Sequence, residues 1–425
     1  MTQAASQRTT DALVLVINGG SSTIRFAFFQ TPEFQTPEFT TQQTQLTRRL
    51  YGQIERIGRE DASAMLRFHE PAGASAVILK LTRSDYPSAI VFLLNWLEQR
   101  PEFTSLQAVG HRVVHGMGHS QPEIVTATLL AELNDLRLMS PEHLPGELAL
   151  IESFRTRHPA QIQIVCFDTA FHHNLPRVAQ LLPIPRRFFA KGVRRYGFHG
   201  LSCEYLLTEL ARIAGEEAAR GRLIFAHLGN GSSLTAIQNG KSVDTSMGFT
   251  PSSGLPMGSR SGDLDPGLFD YLIRTQGMNA SAFHQMINSA SGMLGISETT
   301  SDMHDLLRVQ ATDVRAAEAV SLFCYQAKQW VGAFAAVLGG LDTLVFAGGI
   351  GENSAEIRAR ICRGLEFLGV EIDEARNLQD LGVISAKDSQ VTVRVIPTDE
   401  EQVIAAAVHR LLQQTARQDG VPTLL

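Results

Sequence analysis

Residues 12–29 read ALVLVINGGSSTIRFAFF. Ala12–Asn18 is an apolar, β-branched run, the pattern of a strand buried on both faces. Gly19-Gly20-Ser21-Ser22-Thr23 breaks the run and Ile24–Phe29 resumes it, which predicts strand, small-residue turn, strand. The arrangement returns at Leu223–His227, followed by Asn230-Gly231-Ser232-Ser233. That internal echo predicts two related domains facing one cleft. Further strands are expected at Ala108–Val114, Ile162–Phe167, Thr343–Ala347 and Val391–Ile396. Helices are expected at Pro87–Gln99, Gly146–Arg157, Glu204–Ala214, Asp313–Leu338, Ser354–Leu368 and Glu401–Gln414. Strands alternating with helices place the chain in the α/β class.

Composition narrows the function. At 425 residues the length suits two or three domains. Lys and Arg total 37 against 43 Asp and Glu, a net charge of −6, which argues against a dedicated nucleic-acid binder. The four cysteines are widely spaced with no CxxC, as expected of buried thiols in a reducing compartment. Residues 1–10 lack an apolar segment, and the uncharged run Trp330–Leu341 is too short to span a bilayer. A cytoplasmic protein with no membrane partner is the expectation. Residues 31–40 hold a direct TPEF duplication and read as a loop.

Several clusters offer chemistry. The turn after Asn18 presents backbone N–H groups with Arg25 nearby, suited to phosphate oxygens or to a plain hairpin. Arg112, in GHRVVHG, is an always-charged fork for a carboxylate or phosphoryl group, or one half of a surface ion pair. Asp168 closes a strand in FDTAFH, where a carboxylate can meet a ligand or cap the next segment. His199 sits in RRYGFHG. The stretch from His227 to Pro266 is rich in Gly, Ser and Thr and carries Arg260, a possible second fork. Gly348-Gly349-Ile350-Gly351 follows a strand like a nucleotide-binding turn. Asp399-Glu400-Glu401 puts carboxylates at a strand end, suited to a hard cation or to a helix start.

Taken in order, VLVINGGSSTIRF, GHRVVHG, FDTAFH, RRYGFHG, HLGNGSS, DTSMGFTPSSGLPMGSRSGDLDP, FAGGIGENS and IPTDEE resemble the acetokinase family. The resemblance runs from Leu13 to His409. It implies the sugar-kinase/heat-shock/actin fold: α/β, with two ribonuclease H-like domains around an interdomain cleft. The first domain would hold residues 11–170 and 401–415, and a nucleotide-binding and dimerisation domain residues 171–400. The implied reaction is reversible phosphorylation of acetate to acetyl phosphate by ATP, with Mg2+ or Mn2+, in a homodimer. Carried over by position, Asn18 and Glu400 would bind the metal, and Arg112, Asp168, His199 and Arg260 would serve catalysis. Arg112, Val114, Phe198 and Pro251 would meet the acyl substrate. Arg25, His227, Gly229, Asn230, Gly231, Asp302, His304, Gly349, Ile350, Gly351 and Asn353 would meet ATP or ADP.

The resemblance is imperfect at four positions. Arg25 stands for a common Lys, Asp399 for Asn, His304 for Arg, and Glu142 for an apolar residue near the acyl pocket. Glu142 raises the expectation of weak carboxylate affinity. A propionate or butyrate kinase would share every catalytic residue, because one methylene discriminates by only ~10–200-fold. An ATPase of the same fold lacking an acceptor, and an actin-like filament protein, are the alternatives of other classes.

Overall fold

The computed structural model describes residues 12–20, 22–32, 46–58, 63–70 and 75–418. Residues 1–10, Ser21 of the first turn and residues 33–40 of the TPEF duplication lie outside the described residues. The chain divides into two units. One holds the residues through Ala170 together with those from Asp399 onward, and the other holds Phe171–Thr398.

The first unit is built on β1 (Leu13–Gly19), β2 (Ile24–Gln30), β3 (Thr47–Glu55), β4 (Met65–His69), β5 (Val77–Lys80), β6 (Leu106–Val113), β7 (Glu123–Ile124) and β8 (Ile162–Phe167). Their order in the sheet is β5-β4-β3-β2-β1-β6-β8-β7. Every residue of β1 is buried, as the unbroken apolar run requires. Its odd positions Leu13, Leu15 and Ile17 join a core with Leu93 and Leu97 of helix Tyr86–Glu98 and with Leu150 and Phe154 of helix Leu144–Arg157. Helix Glu400–Gln418 packs on β1 and β6. A Cβ at Gly110 of β6 would fall 2.6 Å from Ile404 Cγ2 and 2.7 Å from Val408 Cγ2, so only glycine permits this approach.

The second unit carries β9 (Arg222–Leu228), β10 (Ser232–Gln238), β11 (Lys241–Thr245), β12 (Thr343–Ala347) and β13 (Thr392–Val395), ordered β11-β10-β9-β12-β13. Here β9, β12 and β13 are parallel, while β10 and β11 are antiparallel to their neighbours. The strands β3-β2-β1-β6-β8 repeat this pattern in the first unit: two antiparallel pairings, then two parallel ones. The echo between residues 12–29 and 223–233 is therefore a duplicated strand topology. Helix Val314–Leu338 covers the second sheet. Its Ala316, Val320, Phe323, Ala327, Val331, Phe334 and Leu338 recur at helical spacing and are buried. Among the described residues no helix is long and apolar enough to cross a membrane.

Two expectations need adjustment. The chain passes between units after Thr398, because Asn18 and Arg48 of the first unit bind Glu400 and Asp399. Asp399 and Glu400, expected in the second domain, therefore group with the first unit. The helix expected over Ser354–Leu368 is helical only at Ala355–Cys362, since Gly364 turns the backbone to φ +85° and a short 3₁₀ turn follows at Glu366–Leu368. Strands β3, β4, β5, β7, β10 and β11 are not among the expected ones.

Candidate active site

In the first unit the polar residues collect where neighbouring parallel strands end. Asn18 lies at the end of β1, Arg112 near the end of β6, and Asp168 just past β8. Carboxyl ends of parallel strands are the usual ligand edge of an α/β sheet. The Asp168 N–H donates to Val113 O at 3.0 Å, which fixes the start of that loop. Gly19 lets two side chains come close: a Cβ would lie 2.8 Å from Leu150 Cδ1 and 3.1 Å from the Tyr86 hydroxyl.

Arg112 is the hub. Its Nε and Nη2 donate to Asp168 Oδ2 at 3.1 and 2.5 Å. Its Nη1 donates to Glu147 Oε1 at 3.0 Å and to Gly19 O at 3.3 Å. A guanidinium has five N–H groups. These bonds occupy one on Nε, two on Nη1 and one on Nη2, leaving one N–H on Nη2. The Arg112 fork, read in the sequence as suited to a carboxylate or phosphoryl group or to an ion pair, holds Asp168 and Glu147 here.

Glu147 was missed in the sequence. It is buried in the first turn of helix Leu144–Arg157, where an acidic residue reads simply as a partner of the helix dipole. Its second oxygen accepts from Val114 N–H at 2.8 Å. Burial pushes its carboxyl up to about 7, against the pull of Arg112 and the Val114 N–H. Burial also opposes the Arg112 charge, yet Asp168, Glu147 and Glu400 outweigh it and hold the guanidinium above its ordinary range.

Negative charge therefore exceeds positive around Arg112. Glu400 is buried and its carboxyl is raised by burial and by Asp168, while Arg112 and Arg25 pull it down. Asn18 Nδ2 donates to Glu400 Oε2 at 3.0 Å. Asp168 Oδ1 is buried and accepts no hydrogen bond among the described residues. A buried carboxylate oxygen left without a donor is costly, and a cation relieves it. Hard oxygens from Asp168, Glu400 and Asn18 suit Mg2+ or Mn2+.

Arg25 is exposed on β2, opposite Asn18 in the pairing register, and acts electrostatically on Glu400 and Glu401. The extra charge of Asp399 is answered locally. Arg48 Nη2 lies 2.5 Å from Asp399 Oδ1, which also caps Gln402 N–H. Glu142 is exposed.

The second unit assembles a separate set. His199 has φ 56° and ψ 29°, a left-handed conformation uncommon outside glycine, and stands at the start of helix Gly200–Ala214. Its Nδ1 is 2.9 Å from Ser233 Oγ. Its ring stacks on His227 with centroids 4.2 Å apart, and His227 Nδ1 is 2.8 Å from Ser202 Oγ. A Cβ at Gly231 would meet His199 Nε2 at 3.4 Å and Arg260 Nη1 and Nη2 at 3.5 and 3.6 Å. Two polar groups thus border the space that glycine leaves open. Arg260 Nη1 donates to Pro251 O at 2.8 Å. Phe198 is buried and its carbonyl is 2.9 Å from His172 Nε2.

The two glycine turns are neighbours, since β9 and β12 pair in parallel. A Cβ at Gly229 would lie 3.9 Å from Gly349 N. Asn230 O accepts from Gly258 N–H at 3.0 Å. Gly348 has φ +75°, and Glu352 Oε1 accepts from both Gly348 N–H (2.8 Å) and Thr398 N–H (3.0 Å). Residues Gly348–Asn353 form a short helix rather than an open turn. Ile350 packs on the hydrophobic core, and Asn353 Nδ2 donates to Gly349 O at 2.9 Å, so Ile350 and the Asn353 amide serve the turn itself here. Asp302 caps helix Met303–Val309 through Asp305 N–H, and His304 is exposed beside it. The preceding Ser301 Cβ would touch a Cβ at Gly258 at 3.4 Å.

The acetokinase family model matches residues 13–406. An acetate kinase of Rhodopseudomonas palustris (strain TIE-1) is 41% identical over 402 residues, covering 94% of this chain and 98% of that protein. A propionate kinase of Citrobacter rodentium is 39% identical over 404 residues, covering 94% and 96%. The crystal structure of Porphyromonas gingivalis acetate kinase superposes with a TM-score of 0.81 at 35% identity, covering 94% of this chain and all of that one (100%). With its duplicated α/β topology and a match over nearly its whole length, the chain belongs to the acetokinase family.

Proposed function

We propose that this chain transfers the γ-phosphoryl group of ATP directly and reversibly to acetate, giving acetyl phosphate and ADP. The observation that carries the reading is the pair of polar groups, His199 Nε2 and the Arg260 guanidinium, that converge within 3.4–3.6 Å of the Cβ position of Gly231. An acceptor carboxylate is already ionised at pH 7, so no general base is required. The barrier is repulsion between two anions, with charge building on the equatorial oxygens of the transferring group. Donors held in place before reaction answer that charge. His199 serves as such a donor in the tautomer whose Nδ1 accepts from the Ser233 hydroxyl, 2.9 Å away, and whose proton sits on Nε2. It forms no covalent phosphate.

Arg112 offers the acceptor its one remaining N–H and its charge. Val114, Phe198 and Pro251 are assigned to the acyl group. Gly229, Asn230, Gly231, Gly349 and Gly351, with His227, Asp302 and His304, are assigned to the nucleotide, as are Arg25, Ile350 and Asn353 by position. Asp168, Glu400 and Asn18 would hold Mg2+, which when bound neutralises phosphate charge. A homodimer is part of the proposal: helices Gly267–Gln276 and Ala280–Ser289 bury none of their residues, and Tyr271 and Ile273 are exposed. So is a cytoplasmic setting, in keeping with four widely spaced, buried cysteines.

Trapping acyl phosphate with hydroxylamine, using acetate, propionate and butyrate in turn with ATP and Mg2+, tests the reading. Acetyl hydroxamate formed in step with ADP supports it. Preference for propionate, as in the C. rodentium relative, would move the assignment within the family. ATP turnover indifferent to all three acids would overturn it.

A further inference from the structure

The residue best placed to act on the acceptor end without having a role assigned is Glu147. It is fully enclosed, at 2% exposure, and its two oxygens are divided between two residues at the end of β6, Arg112 and Val114. Oε1 takes Arg112 Nη1 at 3.0 Å, and Oε2 takes Val114 N–H at 2.8 Å. Arg112 is the charged group assigned to the substrate carboxylate, and Val114 is an apolar residue assigned to its chain. We propose that Glu147 is the positioning residue of the acceptor site, setting in one registration the cation that draws the carboxylate and the side chain that meets the acyl group. The inference rests on the proposed function above and deepens it.

Three observations support it. First, the Val114 N–H lies just past the end of β6, where the sheet no longer supplies its partner. Val113 O still receives Asp168 N–H, so the strand end is pinned on one side by β8 and on the other by Glu147. Second, Glu147 determines what Arg112 has left to give. With Asp168 and Gly19 O it consumes four N–H groups, so the free one on Nη2 has a single direction. Without Glu147 the guanidinium regains an N–H and can swing toward a two-pronged grip. Third, the site for Glu147 is built around it. Gly146, immediately before it, would clash with the Tyr86 ring at 2.9 Å if it bore a Cβ, and a Cβ at Gly19 would lie 3.6 Å from Glu147 Cγ. Helix Leu144–Arg157 is therefore brought against the turn after β1 by two glycines, and the carboxylate is delivered at that contact.

A carboxylate beside the binding place of a carboxylate is electrostatically unfavourable, and its presence needs a return. The return proposed is geometric selection: an acceptor held by one N–H in one direction, with Val114 at fixed height, is sorted by chain length. A helix brace alone would leave the preference among the acids unchanged, whereas Gln, with a single acceptor oxygen, keeps one of the two bonds and loses the charge.

Steady-state kinetics of the full-length protein decide the matter, with acetate, propionate and butyrate each varied against saturating ATP and Mg2+. Glu147→Gln should raise the carboxylate KM by about 10-fold or more and shift the acetate-to-propionate ratio of kcat/KM by at least about 3-fold. The KM for ATP should stay within about 2-fold. Glu147→Asp keeps the charge but reaches only one partner; it should change the same two quantities by less, and carries the test if the Gln protein does not fold. Equal losses for all three acids and for ATP, tracking a fall in thermal midpoint, would overturn the proposal, as would wild-type constants in either variant. Failure of the underlying reading shows separately, as a wild-type protein that phosphorylates none of the acids.

Discussion

Gly231→Ala separates the proposed chemistry from the fold. Gly231 does not have a positive φ, so alanine meets no backbone strain there. Its Cβ would come no closer than 3.4 Å to any neighbour, an ordinary contact. Stability should be unchanged or rise by about 0.4–1 kcal/mol, the usual gain from restricting the unfolded chain. The catalytic effect should be large. An oxygen carrying developing charge must lie roughly 2.7–3.1 Å from each donor. A methyl carbon 3.4 Å from His199 Nε2 and 3.5 Å from Arg260 Nη1 competes for that space. Losing a single such donor costs about 2.7–4 kcal/mol, or roughly 10²–10³ in kcat. The assay pairs kcat for acyl phosphate formation with urea unfolding of the same preparation. A variant as stable as wild type but at least about 100-fold slower is expected. Wild-type kcat would refute the claim that these two side chains act over Gly231.

Arg112→Lys should fare badly despite keeping the charge, because one ammonium cannot serve Asp168, Glu147 and Gly19 O together. Loss of about 3 kcal/mol of stability and at least 100-fold in carboxylate kcat/KM is expected, read by denaturant midpoint and kinetics. Ser233→Ala removes the partner of His199 Nδ1 and should lower kcat by about 2- to 15-fold, one ordinary hydrogen bond's worth, with both KM values held. Burial holds the His111 imidazole down at about 4. The unfolded chain takes up that proton below its ordinary 6.5, the folded one only near 4, so stability present above pH 6.5 is lost on acidification. The loss from this residue reaches about 1.4 kcal/mol by pH 5.5, and His111→Asn should remove that part of the slope in urea unfolding.

How far the sequence spoke depended on the kind of signal. β1 and β9 were legible because a strand buried on both faces must be apolar throughout, and the turns after them because glycine and small polar residues stand out. β3 was not. Only Leu50 and Ile54 of it are buried, four residues apart, and the pairing with β2 carries an irregularity between Ala27 and Phe29. A half-exposed strand with that spacing shows no period of two. In the site, Asn18, Asp168, Arg112 and Glu400 were found at strand ends and do come together, as do His199, Gly231 and Arg260. Glu147 escaped, since an acid at a helix start has a common and sufficient local explanation. The donor count of Arg112 escaped for another reason: which N–H groups remain free depends on partners 35 and 56 residues away in the chain.

Chirality at phosphorus tests the account most directly. ATP made chiral at its γ-phosphorus with oxygen isotopes, transferred to acetate by the wild-type protein, reports whether one displacement or two has occurred. Inversion in the acetyl phosphate is the predicted result, since the polar groups over Gly231 assist a single in-line transfer. Retention would mean an intervening phosphoenzyme, and would contradict the role given to His199.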